Sequence, residues 1–170
     1  MRGLVVLSGL PGVGKSTVAR ALAVKTGALW LRLDAIEQEM RGSHMVCADL
    51  ADGGYAAARA VAAQALRQGY GVIADSVNPL EITRAPWMAV AERAGVPLCT
   101  VELVCSDAGA HRRRADTRVA EVPGLALPDW AAVSARAYEC WEAAMLALDL
   151  AKMAPEDAAE AILREMEGEA

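Results

Sequence analysis

The chain has 170 residues, 55% of them hydrophobic but only 4% aromatic, with no Phe and a formal charge of −5. That length suits one domain with its own core, and the acidity argues against a protein that grips nucleic acid through a basic face. No apolar run approaches the roughly eighteen residues of a membrane span. The four cysteines form no C-x-x-C pair, and Cys99 and Cys105, in or beside an apolar run, suit reduced, core-filling thiols.

Leu4 to Leu7 is an apolar run that enters Gly9-Leu10-Pro11-Gly12-Val13-Gly14-Lys15-Ser16-Thr17. Gly9, Gly14, Lys15 and Ser16 fit the pattern G-x-x-x-x-G-K-[ST]. Glycines let the backbone approach an anion closely, its amides point inward, and the next helix presents its positive end. In that arrangement Lys15 reaches the β- and γ-phosphates of a nucleotide, and the Ser16 hydroxyl ligates Mg²⁺. An amphipathic run, Val18 to Val24, leaves the loop, completing the strand–loop–helix context. The apolar N-terminus is broken by glycines and Lys15, so it reads as a strand and not a signal peptide. A cytoplasmic protein is expected.

A first helix is predicted over Lys15 to Lys25, capped by Gly27, and a second strand over Leu29 to Leu33, ending at Asp34. A short helix over Ala35 to Met40 precedes a glycine-rich loop, Gly42 to Gly54. Tyr55 to Gln68 is an alanine-rich helix, and Gly71 to Ala74 a third strand ending at Asp75. After an Asn78-Pro79 turn come a helix over Arg84 to Ala94 and a fourth strand over Pro97 to Cys105. Asp107 to Val119 reads as an arginine-rich helix, and Pro123 to Pro128 as an irregular loop. Asp129 suits the cap of a long helix bearing Val133, Ala137, Trp141 and Met145 as a core stripe. Leu146 to Leu150 is a fifth strand by position, or by pattern a prolongation of that helix. Pro155 opens a last helix to about Met166.

This alternation predicts a single α/β domain over residues 1–170, a parallel sheet with helices on both faces. Ligands of such sheets bind beyond the carboxyl ends of the strands, which selects the glycine loop, Asp34, Asp75 and the segment after Cys105. Asp75, closing an apolar strand, suits a carboxylate near Mg²⁺. Asp34 suits either a helix N-cap or a base for an acceptor's proton, and Glu37 shares its face or is a solvated charge. Of Arg112, Arg113, Arg114 and Arg118, two are expected on phosphates, with Arg114 and Arg118 sharing a helix face. The alternative is a solvated basic helix paired with Asp107 and Asp116. The segment from 107 to 128 suits a lid that excludes water. His111 reads as a surface residue, and Trp87, Trp130 and Trp141 as core or substrate wall. His44 and Cys47 have metal-like spacing, but no second pair accompanies them.

These motifs resemble the small bacterial P-loop kinases and phosphotransferases, a group that includes chloramphenicol phosphotransferase, shikimate kinase and zeta-toxin-like kinases. The likeness is greatest to short AAA-type kinases described only as ATP-binding. It rests on the glycine loop, Asp75-Ser76-Val77-Asn78-Pro79, Cys105-Ser106-Asp107, the arginine run, Pro123-Gly124-Leu125 and Pro128-Asp129-Trp130. The resemblance implies a P-loop NTPase three-layer α/β/α sandwich with a five-stranded parallel sheet in the order 2-3-1-4-5. It also implies ATP as donor, Asp34 as catalytic base, Arg114 stacked on adenine and Arg118 on the transferring phosphate. Lys152 to Pro155 would cover the other face of the base. The acceptor motifs of shikimate, gluconate and adenylate kinases are missing, and a polynucleotide kinase would carry an arginine where Glu37 stands.

The resulting expectation is Mg²⁺- and ATP-dependent transfer of phosphate to a hydroxyl of a small molecule. Gly42 to Tyr55 and Asn78 to Trp87 would form the acceptor walls. A nucleotide-binding regulatory ATPase or switch fits the same loop, and a nucleic-acid 5′-hydroxyl kinase fits it less well, given the acidity. The acceptor and the oligomeric state are not encoded in these motifs.

Overall fold

The computed structural model describes residues 1–44 and 49–168. Five parallel strands, β1 (Leu4–Ser8), β2 (Leu29–Arg32), β3 (Val72–Asp75), β4 (Leu98–Val104) and β5 (Leu146–Asp149), form one sheet in the order β2-β3-β1-β4-β5. The central strand β1 is buried along its whole length, as a near-continuous apolar run requires when both sheet faces are covered. Because side chains alternate across a strand, Leu4 and Val6 join one core layer and Val5 and Leu7 the other.

The first layer is closed by α2 (Leu33–Gly42), α3 (Gly53–Arg67) and α4 (Glu81–Ala94). Ala58, Ala62 and Ala65 let α3 approach closely, and Trp87 fills the space with 1% of its surface exposed. The second layer lies under α1 (Lys15–Thr26) and α7 (Pro155–Glu167), through Val18, Leu22 and Ile162. Cys99 is buried there, as a core-filling thiol, and Cys47 lies outside the described residues. Between β4 and β5 run α5 (Ala108–Thr117), a loop and α6 (Trp130–Ser134). Among the described residues no helix is long and apolar enough to cross a membrane.

Two expectations about this last segment fail. The long helix after Asp129 is only five residues, and Ala137 and Met145 are exposed. The cause is competition for backbone donors by buried side chains of β4. Trp141 N donates to Glu102 Oε1 at 2.9 Å and Met145 N to Thr100 Oγ1 at 3.0 Å, in place of helical carbonyls. Leu146–Asp149 is accordingly a strand and not a continuation of that helix. Arg118, for its part, is the extended residue that ends α5, with φ −66° and ψ 144°. It therefore does not share a helix face with Arg114.

Candidate active site

The glycine loop joins β1 to α1, with Lys15 as the first helical residue. Gly9 has φ 142°, and a Cβ there would lie 2.3 Å from the Leu103 carbonyl oxygen. Gly12 has φ 86° and passes over Ala115 of α5. No other residue takes these turns at this separation. Lys15 Nζ folds back to donate to the carbonyls of Gly9 at 2.8 Å and Leu10 at 3.1 Å. An ammonium has three donors, so one remains to face a ligand. Burial pushes the Lys15 pKa down to about 8, against the opposing fields of Asp75 and Asp34.

The outer side of the loop is held by α5. His111 is buried, with its Nε2 2.9 Å from the Pro11 carbonyl oxygen and its ring edge-on to Trp130 at 5.0 Å. The surface position expected for His111 is thus wrong: the histidine props the loop from behind. Arg114 donates to the Val13 and Leu150 carbonyls at 3.4 and 3.0 Å. Arg112 is exposed and pairs with Asp116 at 3.5 Å, and Arg113 is exposed as well.

Asp75 ends β3 directly beside the loop, paired in register with Leu7. It is 4% exposed and accepts from Trp30 Nε1 at 3.1 Å. Burial raises its pKa, opposed by Lys15 and by hydrogen bonds from Ser16 and Trp30. Asp34 lies one strand further out, exposed, in the first turn of α2. It is not the N-cap, which is Arg32. Arg118 has its Nε buried without a partner and donates through Nη2 to the Pro128 carbonyl at 3.4 Å. Burial lowers its pKa while Asp34 supports its charge.

These groups line one cavity of about 830 Å³, floored by Gly12, Gly14, Lys15, Ser16 and Thr17. A second, of about 510 Å³, opens beyond Gly14, Thr17 and Arg114 and is walled by Leu150 to Pro155. Of the two acceptor walls expected, Gly42 to Tyr55 reaches the cavity at Gly42, and its residues 45–48 lie outside the described residues; Asn78 to Trp87 does not line it. Asn78 is fully buried and donates from Nδ2 to the Leu7 carbonyl at 2.7 Å, so the segment after it is structural. With Gly42, Glu37, Gln38 and Arg41 on α2 face Gly124 to Pro128 across the cavity. That loop is tied down by Glu121, which pairs with Arg20 of α1 at 2.6 Å and Arg32 of β2 at 2.7 Å.

A family model for the AAA domain matches residues 4–136, which include the whole glycine loop, Asp34, Asp75 and Arg118. The chain belongs to this AAA domain family. No curated protein matches it in sequence. Among solved structures, this AAA domain resembles the APS kinase CysC of Mycobacterium tuberculosis in complex with AMPPNP and APS. The two are 20% identical over 98% of each chain, with a TM-score of 0.72. A gluconokinase from Sinorhizobium meliloti is 20% identical over 99% of this chain and 97% of its own, with a TM-score of 0.67. Kti12 of Chaetomium thermophilum, in complex with ADP-AlF3, is 20% identical over 97% of both chains, with a TM-score of 0.69. The AAA domain thus has the fold of small P-loop kinases, in the strand order expected.

Three side chains of the AAA domain site carried no motif. Trp30 and Arg32 alternate on one face of β2, two residues apart and just before Asp34; that alternation was the available signal. Arg136 lines the cavity only because α6 stops at Ser134, which nothing local announces.

Proposed function

We propose that the protein transfers the γ-phosphate of ATP, with Mg²⁺, to a hydroxyl of a small molecule. The observation that carries this reading is the convergence of Lys15, Asp75, Asp34 and Arg118, from four parts of the chain, on one cavity with room beyond the loop for an acceptor. The residues fit the groups they would hold. The loop leaves no space for a Cβ at Gly9, and its amides and Lys15 suit a polyphosphate. Ser16 and Asp75 offer a hydroxyl and a carboxylate, the oxygen donors that Mg²⁺ takes alongside phosphate and water. When bound, Mg²⁺ would neutralise phosphate charge.

The chain's own groups do the rest by position and charge. Lys15 turns its free N–H toward the phosphates. Asp34 takes the acceptor's proton as the new O–P bond forms, and ADP leaves with the electron pair of the bond that breaks. Arg118 carries the charge that develops on the equatorial oxygens. Arg114 and the Leu150–Pro155 wall, including Pro155, would hold the base, and the choice of ATP rests on the family resemblance.

The test is a phosphate-transfer screen over hydroxyl metabolites, with wild type beside Asp34→Asn. Some acceptor should raise ADP production well above the rate in water alone. Asp34→Asn should lose about 10²- to 10⁴-fold in kcat and still bind Mg-AMPPNP. Unchanged transfer removes Asp34 from the mechanism. Failure of every acceptor, with a partner protein that binds only the ATP form, favours a switch, and transfer to 5′-hydroxyl oligonucleotides favours an end kinase.

A further inference from the structure

The charges around the large cavity do not all cancel. Arg41 is paired with Glu37 at 3.4 Å and Arg32 with Glu121 at 2.7 Å. Arg114 is spent on main-chain carbonyls, and Arg118 faces Asp34 and the Pro128 carbonyl. Arg136 remains. It lines the same cavity, and among the described residues its guanidinium has neither an ion-pair partner nor a side-chain hydrogen bond.

The backbone that presents Arg136 is pinned, although the side chain is exposed. Two residues on, the Tyr138 hydroxyl donates to Glu102 Oε1 at 2.8 Å and lies 2.9 Å from Ser8 Oγ. Glu139 N then donates to the Pro79 carbonyl at 2.9 Å. The positive charge of Arg136 also bears on the loop, where it opposes protonation of Lys15. A guanidinium offers a planar fork of N–H donors matched to carboxylate and phosphate. Left uncompensated at the wall of a cavity, on an anchored loop of an acidic chain, it is placed to receive such a group.

We propose that Arg136 binds an anionic group of the acceptor, so that the substrate is a hydroxyl compound bearing a carboxylate or a phosphate ester. This rests on the kinase reading for the word acceptor, but the anion site can be tested without turnover. The protein is saturated with Mg-AMPPNP, which fills the loop. Thermal stabilisation is then titrated with glycerate, glycerol 3-phosphate and inorganic phosphate, with glycerol as the neutral control, in wild type, Arg136→Met and Arg136→Lys. At least one anion should stabilise wild type, with an apparent dissociation constant at least tenfold weaker in Arg136→Met and intermediate in Arg136→Lys. Glycerol should stabilise none of them. The carboxylate and phosphate arms separate the two chemistries. Equal stabilisation of wild type and Arg136→Met by the anions, or none of wild type, overturns the proposal. Where an acceptor turns over, Arg136→Met should raise its KM at least tenfold and change Mg-AMPPNP affinity less than threefold; the reverse pattern also overturns it. Anion binding through Arg136 with no acceptor turned over would leave this site standing and sink the kinase reading alone.

Discussion

Trp30 and Asp75 are joined across the β2–β3 pair by an indole N–H that donates to the buried carboxylate at 3.1 Å. The guanidiniums of Arg20 and Arg32 both lie over the indole, 5.7 and 5.8 Å from its centroid. One carboxylate oxygen is thereby fixed, which on the proposed function leaves the other for Ser16 and Mg²⁺. Such outer partners orient a metal-binding carboxylate as firmly as the ligands do. Trp30→Phe keeps most of the ring and removes the donor. It should cost about 1–3 kcal/mol of stability by urea denaturation, the usual cost of orphaning a buried acceptor. The Mg²⁺ concentration for half-maximal activity should rise about 10-fold or more. An unchanged Mg²⁺ titration would show that Asp75 is oriented without Trp30.

Lys15 makes stability depend on pH in a direction unusual for a lysine with acidic neighbours. Its folded pKa is about 8, below the ordinary 10.5, so between these values the unfolded chain binds more protons. Stability of the ligand-free protein therefore rises as pH increases through that window, by about 1 kcal/mol from pH 8 to 9. From pH 9 upward the buried Cys99 thiol, pushed up to about 12, acts in the opposite sense. The effect of Lys15 is thus clearest as the difference between wild type and Lys15→Met over pH 8 to 9, where the variant should lack the rise. Binding of Mg-AMPPNP at pH 9 should take up close to one proton, as calorimetry in two buffers would record. Parallel pH–stability curves for the two proteins would place Lys15 in a wetter site than its two carbonyl bonds suggest.

Glu121 ties the loop over the cavity to both α1 and β2, yet its side chain is 47% exposed. Exposed pairs contribute little to stability, so Glu121→Gln should change unfolding free energy by less than about 1 kcal/mol. Its effect should appear in local opening, because the loop would lose both ionic contacts with the core. Amide exchange over residues 118–128 should accelerate several-fold, while β1 and β4 exchange as before. Uniform acceleration across the chain would mean that Glu121 stabilises the domain and not the loop.

The parts of this molecule that were legible in sequence are those fixed by local chemistry. Leu4–Ser8, the glycine loop and α1 follow from an apolar run, close-approach glycines and a left-handed cap at Gly27, with φ 66°. Strand ends located Asp34 and Asp75 because the pattern turns from apolar to charged there. What was not legible depends on partners far away in the chain. The Val133–Ala137–Trp141 spacing reads as helix, but Glu102 and Thr100, more than thirty residues earlier, take the backbone donors. His111 sits among arginines in sequence, yet the loop carbonyl at Pro11 and the ring of Trp130 bury it. Arg136 reaches the cavity for the same non-local reason that α6 ends early.

Arg84 supplies the sharpest test of that non-local network. It is 2% exposed and has no carboxylate in ion-pair contact among the described residues. Instead it donates to the carbonyls of Asn78 at 2.8 Å, Pro79 at 3.3 Å, Cys140 at 3.4 Å and Glu139. It also lies over the rings of Tyr138 at 5.4 Å and Trp141 at 5.2 Å. Glu102, itself buried, receives Tyr138 and the Trp141 amide, so the cation and the anion clamp one loop from two sides. Arg84→Met fills much of the volume but strands these carbonyls. The loss should be about 1–3 kcal/mol or more, the usual cost of leaving buried acceptors unsatisfied. Adding Glu102→Gln should cost less than the two single losses combined, since both residues hold the same Tyr138–Trp141 segment and the second loss falls on a loop already released. Because Tyr138 also contacts Ser8, one residue before Gly9, Arg84→Met should weaken Mg-AMPPNP binding even where the fold survives. Strictly additive losses in the double variant would mean that Arg84 and Glu102 hold this loop independently, and that Arg136 is not presented by a common frame.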